Sequence, residues 1–175
     1  ETVPDPTYSF RFQNYDIMEV VTMAREAVER IGADNISTVA GVNPGYSFGE
    51  DEMRVFTQAI QRLTDAEIVY EGFPELGASD MANHITSINN EEPDVTFSSL
   101  WGGDVTTFVR QANANNMFEN TTVFGTTLYS AAGDVPGDAL AGTDIYSGSR
   151  NYYWGKPALG NWQPGRELFD AATQQ

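Results

Sequence analysis

Two aromatic residues, Tyr46 and Phe48, lie in a short turn at residues 43–50, where the sequence changes character. An apolar run at 36–42 leads into the turn, and a helical pattern of apolar residues at 49–63 leads out of it. A strand, a tight turn and a helix N-terminus in this order present a ligand site at the carboxyl end of a strand in an open α/β sheet. The shape alone suits a phosphate, but aromatic side chains occupy the turn instead of phosphate-cradling residues. The turn therefore predicts contact with an organic ligand.

A second candidate group, Trp101-Gly102-Gly103, follows another predicted strand. Trp101 offers flat apolar area and an indole N–H donor, and with Tyr46 and Phe48 it predicts one wall of a ligand cleft. Gly102 allows backbone amides to approach a ligand. Each residue also has a simpler interpretation, because the rings suit core or loop packing and the glycines suit a turn alone.

The glycines, the histidine and the acidic clusters of the sequence do not predict a nucleotide or metal site. Gly41, Gly45 and Gly49 do not follow the G-x-G-x-x-G spacing of a dinucleotide site. His84 is the only histidine and cysteine is absent, so a zinc site would need carboxylates alone beside it; we expect His84 on the solvated face of a helix. The acidic residues at 50–52 lack the alternating oxygen-ligand pattern of a calcium loop. The sequence predicts neither a cofactor nor a metal.

The chain carries a large negative charge, with 25 Asp and Glu against 9 Lys and Arg, a formal net charge of −16 over 175 residues. Binding to a phosphate backbone requires clustered Lys and Arg, so nucleic acid is not an expected partner. A diffuse acidic excess with Lys156 as the only lysine is typical of a halophilic host, because concentrated salt screens self-repulsion. An ordinary acidic secreted protein is the alternative.

The chain contains no apolar run of the ~18 residues that span a membrane, and we expect no signal peptide within it. Its abrupt start at Glu1 predicts a mature product or an excised piece.

Strand and helix patterns alternate along the chain. The predicted strands cover 8–12, 36–42, 66–73, 94–100, 122–125 and 139–147, and the predicted helices cover 16–31, 49–63, a segment from Ser79 or Asp80 to before Pro93, and a helix capped by Asp104 that ends near Asn115. The run at 36–42 is apolar on both faces, which favours a buried parallel strand, and 66–73 is expected to be a second core strand. The alternation predicts an α/β fold with three α-β-α layers and an open parallel sheet of about five strands.

Several motifs occur in an order that resembles a known family. They are Phe10-Arg11-Phe12, Gly45-Tyr46-Ser47-Phe48-Gly49, Pro93-Asp94-Val95, Trp101-Gly102-Gly103-Asp104, Arg110-Gln111-Ala112 and Val123-Phe124-Gly125. Their order and spacing resemble the type I periplasmic binding proteins, and among them the ABC-transporter substrate-binding proteins for branched-chain amino acids, amides and urea. The resemblance runs from about Phe10 to Pro157.

The resemblance implies that the chain is chiefly the second lobe of a two-lobed protein. It implies a lead-in and inter-lobe crossing strand at 1–13, the second lobe at 14–147, and a return crossing with the start of a truncated first-lobe helix at 148–175.

The resemblance also implies roles for individual residues. The family's ligand-facing aromatic positions fall on Phe48 and Trp101. The position where amino-acid binders often place a glutamate falls on Thr127. A neutral hydroxyl does not offset a desolvated ammonium as a carboxylate does, so Thr127 disfavours a zwitterionic amino-acid ligand.

The function implied by the resemblance is solute binding for an ABC importer. The expected partners are a small polar or amino-acid-like molecule and a membrane permease, and the expected location is the periplasm or the extracellular cell surface, with a lipid anchor on the full-length protein. A sensory or regulatory ligand-binding domain of the same fold is the main alternative. An α/β enzyme is the other; it would need a nucleophile with a base in reach, and His84 is distant in sequence from every predicted strand end.

Overall fold

The computed structural model describes residues 16–134 and 143–148, and these form alternating helices and strands. In chain order they are α1 (Asp16–Ile31), β1 (Thr38–Val42), α2 (Ser47–Ile60), β2 (Glu67–Gly72), α3 (Ala82–Glu91), β3 (Val95–Ser98), α4 (Gly102–Ala114), β4 (Thr122–Gly125) and β5 (Ile145–Ser147), with short 3₁₀ helices at Ala33–Asn35, Met117–Glu119 and Leu128–Gly133. None of the helices within these ranges has both the length and the apolar character needed to cross a bilayer.

The five strands form one parallel sheet in the order β2-β1-β3-β4-β5. Its register aligns the last residues of all the strands. Val42 pairs with both Gly72 and Ser98, Ser98 pairs with Gly125, and Gly125 pairs with Ser147. We call these five residues the strand-end row. In chain order, β2 lies on one side of β1, whereas β3, β4 and β5 follow on its other side. The carboxyl ends of β1 and β3 therefore form a topological switch point.

Helices cover both faces of the sheet. On one face α1 and α2 bury an apolar cluster with Val39, Phe97 and Phe124, in which Phe56 stacks on Phe97 with ring centroids 4.2 Å apart. On the other face α3 and α4 pack against alternate residues of the same strands, such as Val42. Because helices cover both faces, the residues of β1, β3 and β4 are buried almost without interruption, as in other parallel sheets. The predicted three-layer α/β fold is confirmed.

Most predicted element boundaries lie within three residues of the observed ones, and α1 and β4 agree to the residue. The expectation that 66–73 is a core strand is wrong, because β2 lies at the end of the strand order and its side chains are partly exposed. The predicted strand at 8–12 and the first part of the predicted strand at 139–147 lie outside the described residues. The division of the chain into a lobe and two crossings therefore stays a prediction.

Helix α4 begins three residues earlier than predicted, with Trp101 and not Asp104 at the N-cap position. Asp104, the predicted N-cap, lies within the first turn and is buried. Its two carboxylate oxygens both accept a hydrogen bond from the backbone N–H of Gly77, at 3.1 Å. Asp104 therefore ties the β2–α3 loop to the start of α4 instead of capping the helix.

The prediction that His84 lies on a solvated face is wrong. Its ring is partly buried against β2, and its Nδ1 lies 2.7 Å from the hydroxyl oxygen of Tyr70. Gly72 is close by, and a Cβ there would come within 2.5 Å of the same nitrogen. Burial lowers the pKa of His84. Burial also raises the pKa of Tyr70, while a hydrogen bond with Ser87 acts in the opposite direction.

We expect the free energy of unfolding to decrease as the pH falls below about 6.5, the usual pKa of an unfolded-state histidine. The folded state disfavours the His84 imidazolium, so the unfolded chain binds the proton more readily. This stability contribution is complete above the unfolded pKa and is lost as the pH falls from there through the lower, folded-state pKa. Urea unfolding of the wild type and of His84→Gln across this range measures the contribution as the difference between the two curves.

Because His84 is the only histidine, its imidazole NMR signals give its folded-state pKa without assignment ambiguity. A folded-state pKa at or above about 6.5 would contradict the expected sign.

Candidate functional site

The loop after β1 is held close to the loop after β2. The backbone N–H of Gly45 donates to the carbonyl of Pro74 at 2.7 Å. Gly49 packs so tightly on the turn that a Cβ there would lie 2.1 Å from the carbonyl oxygen of Pro44. These contacts fix the turn that carries Tyr46, and α2 begins immediately after it with Phe48 in its first turn.

The loop after β3 positions Trp101. Leu100 is fully buried in the core under α4, and the next residue, Trp101, is 44% exposed. Gly102 then adopts a left-handed backbone with φ of +59°, and α4 begins. A buried anchor followed by a sharp change of backbone direction brings the indole to the surface beside the β1 loop.

The three predicted aromatic residues form one group, which we call the aromatic wall. The indole Nε1–H of Trp101 donates to the hydroxyl oxygen of Tyr46 at 3.0 Å. The rings of Tyr46 and Phe48 stack with centroids 5.9 Å apart and planes 23° apart. Trp101 comes from the loop after β3, Tyr46 from the loop after β1 and Phe48 from the first turn of α2, so the wall spans the topological switch point.

The aromatic wall borders a cavity of about 330 Å³, completed by Thr126, Thr127 and Tyr129. The Thr127 hydroxyl donates to the carbonyl of Leu100, and the Thr126 hydroxyl donates to Oε2 of Glu52 at 3.2 Å. None of the six lining residues is charged. The cavity offers ring faces and hydroxyl oxygens, a surface suited to the uncharged end of an organic molecule.

A neighbouring cavity of about 310 Å³ lies between α1 and α2 and shares Phe48. Its lining includes Asp51, Glu52 and Arg54, and it lies beside the helices instead of over the strand-end row. Ligands of open α/β sheets bind outside the carboxyl ends of the strands, so the aromatic cavity is the better candidate.

The structure brings four of the five predicted site residues together, namely Tyr46, Phe48, Trp101 and Thr127. Gly102 is adjacent but does not line the cavity, and no atom lies within 4 Å of the position a Cβ would take there. Its positive φ indicates a conformational role. The indole donor expected to face a ligand is already bonded to Tyr46.

Two lining residues, Thr126 and Tyr129, are missing from the predicted site. Both follow β4 directly, and β4 ends in the strand-end row. Their positions just after a predicted strand could have identified them, because residues that follow parallel strands lie along one edge of the sheet. Within the part of the chain that the structure describes, no three His, Asp or Glu residues group as metal ligands.

A model of the periplasmic binding protein family matches residues 2–164. The chain belongs to the periplasmic binding protein family. The resemblance to the type I periplasmic binding proteins is confirmed, since the solved structures similar to this chain are proteins of that kind. They are solute-binding proteins and not enzymes, which agrees with the prediction that the chain has no catalytic role.

Three similar solved structures illustrate the match. An amino acid ABC transporter substrate-binding protein from Pseudomonas fluorescens has a TM-score of 0.71 and 18% identity, over 82% of this chain and 38% of its own. A branched chain amino acid ABC transporter periplasmic ligand-binding protein from Burkholderia xenovorans has a TM-score of 0.64 and 13% identity, over 73% and 34%. A solute binding protein from Rhodopseudomonas palustris, in complex with p-hydroxybenzoic acid, has a TM-score of 0.63 and 19% identity, over 74% and 34%.

The chain spans about a third of the length of these solved structures. No curated protein matches it.

We expect Gly102→Ala to destabilise the protein by about 1 kcal/mol, because a left-handed backbone disfavours a side chain with a Cβ. Gly103→Ala is the matched control. It also has open space around its Cβ position but no positive φ, so alanine there should be neutral or stabilising by up to about 1 kcal/mol through helix propensity. Urea denaturation of the two variants makes the comparison, and equal stabilities would contradict a conformational role for Gly102.

Proposed function

We propose that this chain is the second lobe of the solute-binding component of an ABC importer. The component captures a small organic molecule between two lobes and passes it to a membrane permease. The observation that carries the proposal is the uncharged aromatic cavity at the strand-end row. Membership of the periplasmic binding protein family and the ABC-transporter relatives support it.

The exposure of the aromatic wall supports a cleft that closes from the opposite side. Trp101 and Tyr46 are 44% and 37% exposed, so one side of each ring lacks a packing partner among the described residues. Ligand pockets bury most of the ligand surface, which one open wall does not achieve. The first lobe closing over the wall completes the pocket, and the ligand favours closure by binding the closed state more tightly.

The ligand class follows from what the cavity lacks. The lining offers no carboxylate for an ammonium and no cationic side chain for a carboxylate. Burying an unpaired charge against this wall is unfavourable, so the end of the ligand that faces it is uncharged and flat or aliphatic. An aromatic or aliphatic organic acid, or an amide, satisfies this condition when its charged end contacts the first lobe. Among the similar solved structures, one is in complex with benzoate, an aromatic organic acid, and others are named for amino acids.

The proposed location is the periplasm or the extracellular cell surface, with lipid anchoring of the complete protein. The acidic composition supports a halophilic host.

The complete two-lobed protein should show a ligand-dependent thermal shift against a panel of benzoates, branched-chain amino acids and amides. Phe48→Ala and Trp101→Ala should each weaken binding of the responding compound by roughly tenfold, because a lost aromatic contact is worth on the order of 1 kcal/mol or more. Isothermal titration calorimetry of each variant measures the change.

Phe73→Ala is the matched control, since Phe73 is a partly exposed aromatic residue that does not line the aromatic cavity. It should bind like the wild type. A complete protein that responds to no compound contradicts the proposed function, and a wild-type affinity in Phe48→Ala and Trp101→Ala contradicts the proposed site.

We expect the melting temperature to rise between about 0.01 M and about 0.3 M NaCl, because the screening length shortens from about 30 Å to under 10 Å over this range. With a net charge of −16, screened repulsion between carboxylates should outweigh the loss of the two exposed ion pairs seen in the described residues, Glu26–Arg30 and Asp51–Arg54. Sucrose at equal osmolality is the control for non-ionic effects. A melting temperature that stays constant or falls with NaCl would count against adaptation to salt.

A further inference from the structure

Asn43 is a fully buried polar residue at the end of the central strand. Its backbone N–H donates to the carbonyl of Gly72 at 2.9 Å, which extends the β1–β2 ladder by one residue. Its side chain points the other way, toward the end of β3. There Oδ1 accepts hydrogen bonds from the backbone N–H and from the hydroxyl of Ser99, both at 2.8 Å. One residue therefore links the ends of three neighbouring strands.

The position of this link matters because the chain separates at the switch point. After β1 it runs to α2 on one face of the sheet, and after β3 it runs to α4 on the other face. The backbone N–H groups of Gly45 and Tyr46 bond to Pro74 and Pro44, so the ladder between β1 and β3 does not continue into the loops. Side chains must hold the two loops together from this point on.

Within the described ranges, two side-chain contacts join the β1 loop to the β3 loop. The outer one is the bond from the Trp101 indole to the Tyr46 hydroxyl, which is exposed to solvent. The inner one is the pair of bonds from Ser99 to Asn43, which is buried. Asn43 lies three residues before Tyr46, and Ser99 lies two residues before Trp101. The inner contact therefore sets the spacing of the two loops that carry the outer one.

The arrangement does not maximise stability. The side-chain Nδ2 of Asn43 is buried and has no hydrogen-bond partner among the described residues. Reversing the amide would not help, because Oδ1 already faces two donors. A buried donor without a partner destabilises the folded state. Buried groups that lower stability in this way occur mainly at functional sites, where a particular side-chain geometry is required.

We propose that Asn43 is a positioning residue for the ligand wall. Its Oδ1 holds the β1 loop and the β3 loop at the separation that lets Trp101 bond to Tyr46, and so gives the wall one fixed shape before ligand arrives. The indole geometry stands on the described contacts alone, whereas the effect on affinity rests on the proposed function. Thr127 and Leu100 secure the β3 loop from its other side, so loss of the Asn43 link changes the spacing of the loops more than it disturbs the core.

The first test reads the Trp101 indole N–H signal in the ¹H–¹⁵N spectrum of the full chain without ligand. Trp101→Phe assigns the signal, and Tyr46→Phe gives its position when the bond is absent. In Asn43→Leu the signal should move toward the Tyr46→Phe position, because leucine keeps the volume and removes the acceptor. Asn43→Asp retains an oxygen at the same place and should keep the wild-type signal.

Asn89→Leu is the matched control, because Asn89 also forms a long-range side-chain bond, to the carbonyl of Asn115, and has its own unpartnered buried atom. It should lower stability without moving the indole signal. If Asn43→Leu does not fold, Ser99→Ala decides, since it removes one of the two bonds and leaves the backbone donor. An unmoved indole signal in whichever of these two variants folds overturns the proposal.

The second test measures affinity in the complete two-lobed protein for the compound that responds in the panel. Asn43→Leu should weaken binding on the order of tenfold, and Asn43→Asp should remain within about threefold of the wild type. Wild-type affinity in Asn43→Leu alongside a shifted indole signal overturns the link to binding. If no compound binds the complete protein, the proposed function fails, and the indole signal still decides whether Asn43 positions the wall.

Discussion

The parallel hydrogen-bond register is the constraint on which the rest of the described structure depends. It ends all five strands in one row, Val42, Gly72, Ser98, Gly125 and Ser147. Residues that are far apart in sequence therefore leave the sheet side by side. Every residue of the aromatic cavity lies within six positions after one of these strand ends. The residues that line the cavity lie together because the hydrogen-bonded strands end at the same level of the sheet.

The two helices that begin beside the cavity show how the sequence uses this edge. N-cap positions favour Ser, Thr, Asp or Asn, whose side chains bond to the first helical N–H groups. Here the N-caps of α2 and α4 are Tyr46 and Trp101, and neither makes a side-chain capping bond. Each helix gives up a capping contribution of about 1 kcal/mol. In return, both rings stand where the helices meet the strand ends and can bond to each other.

Periodicity and loop chemistry were sufficient to predict the fold and most of the wall. The helix at 16–31 and the strand at 122–125 follow from short-range patterns, and Tyr46, Phe48 and Trp101 follow from aromatic residues placed just after apolar runs. Strand order is not a local property of the sequence. The apolar pattern of β2 therefore predicts a core strand, although β2 lies at the end of the described strand order.

Side-chain pairing across the sheet was equally invisible to the sequence patterns. The position of Asp104 in the sequence predicts an N-cap, but in the folded protein its carboxylate accepts hydrogen bonds from the backbone N–H of Gly77. The sequence around His84 predicts a solvated helix face, but in the folded protein Tyr70 of β2 contacts its ring. Asn43 and Ser99 are 56 positions apart, and only the register of β1 with β3 makes them neighbours. Contacts of this kind follow from the assembled sheet and not from either segment.

Most polar groups of the cavity form hydrogen bonds within the protein, which leaves few of them to face the cavity. The Trp101 N–H is bonded to Tyr46, and the hydroxyl hydrogens of Thr127 and Thr126 point to Leu100 and to a carboxylate of α2. The Tyr46 hydroxyl accepts from the indole, so its own hydrogen remains to be donated outward. Ring faces with one phenolic donor are a surface that favours flat, apolar groups by shape and contact area, and the six lining residues offer no charged group for ion pairing.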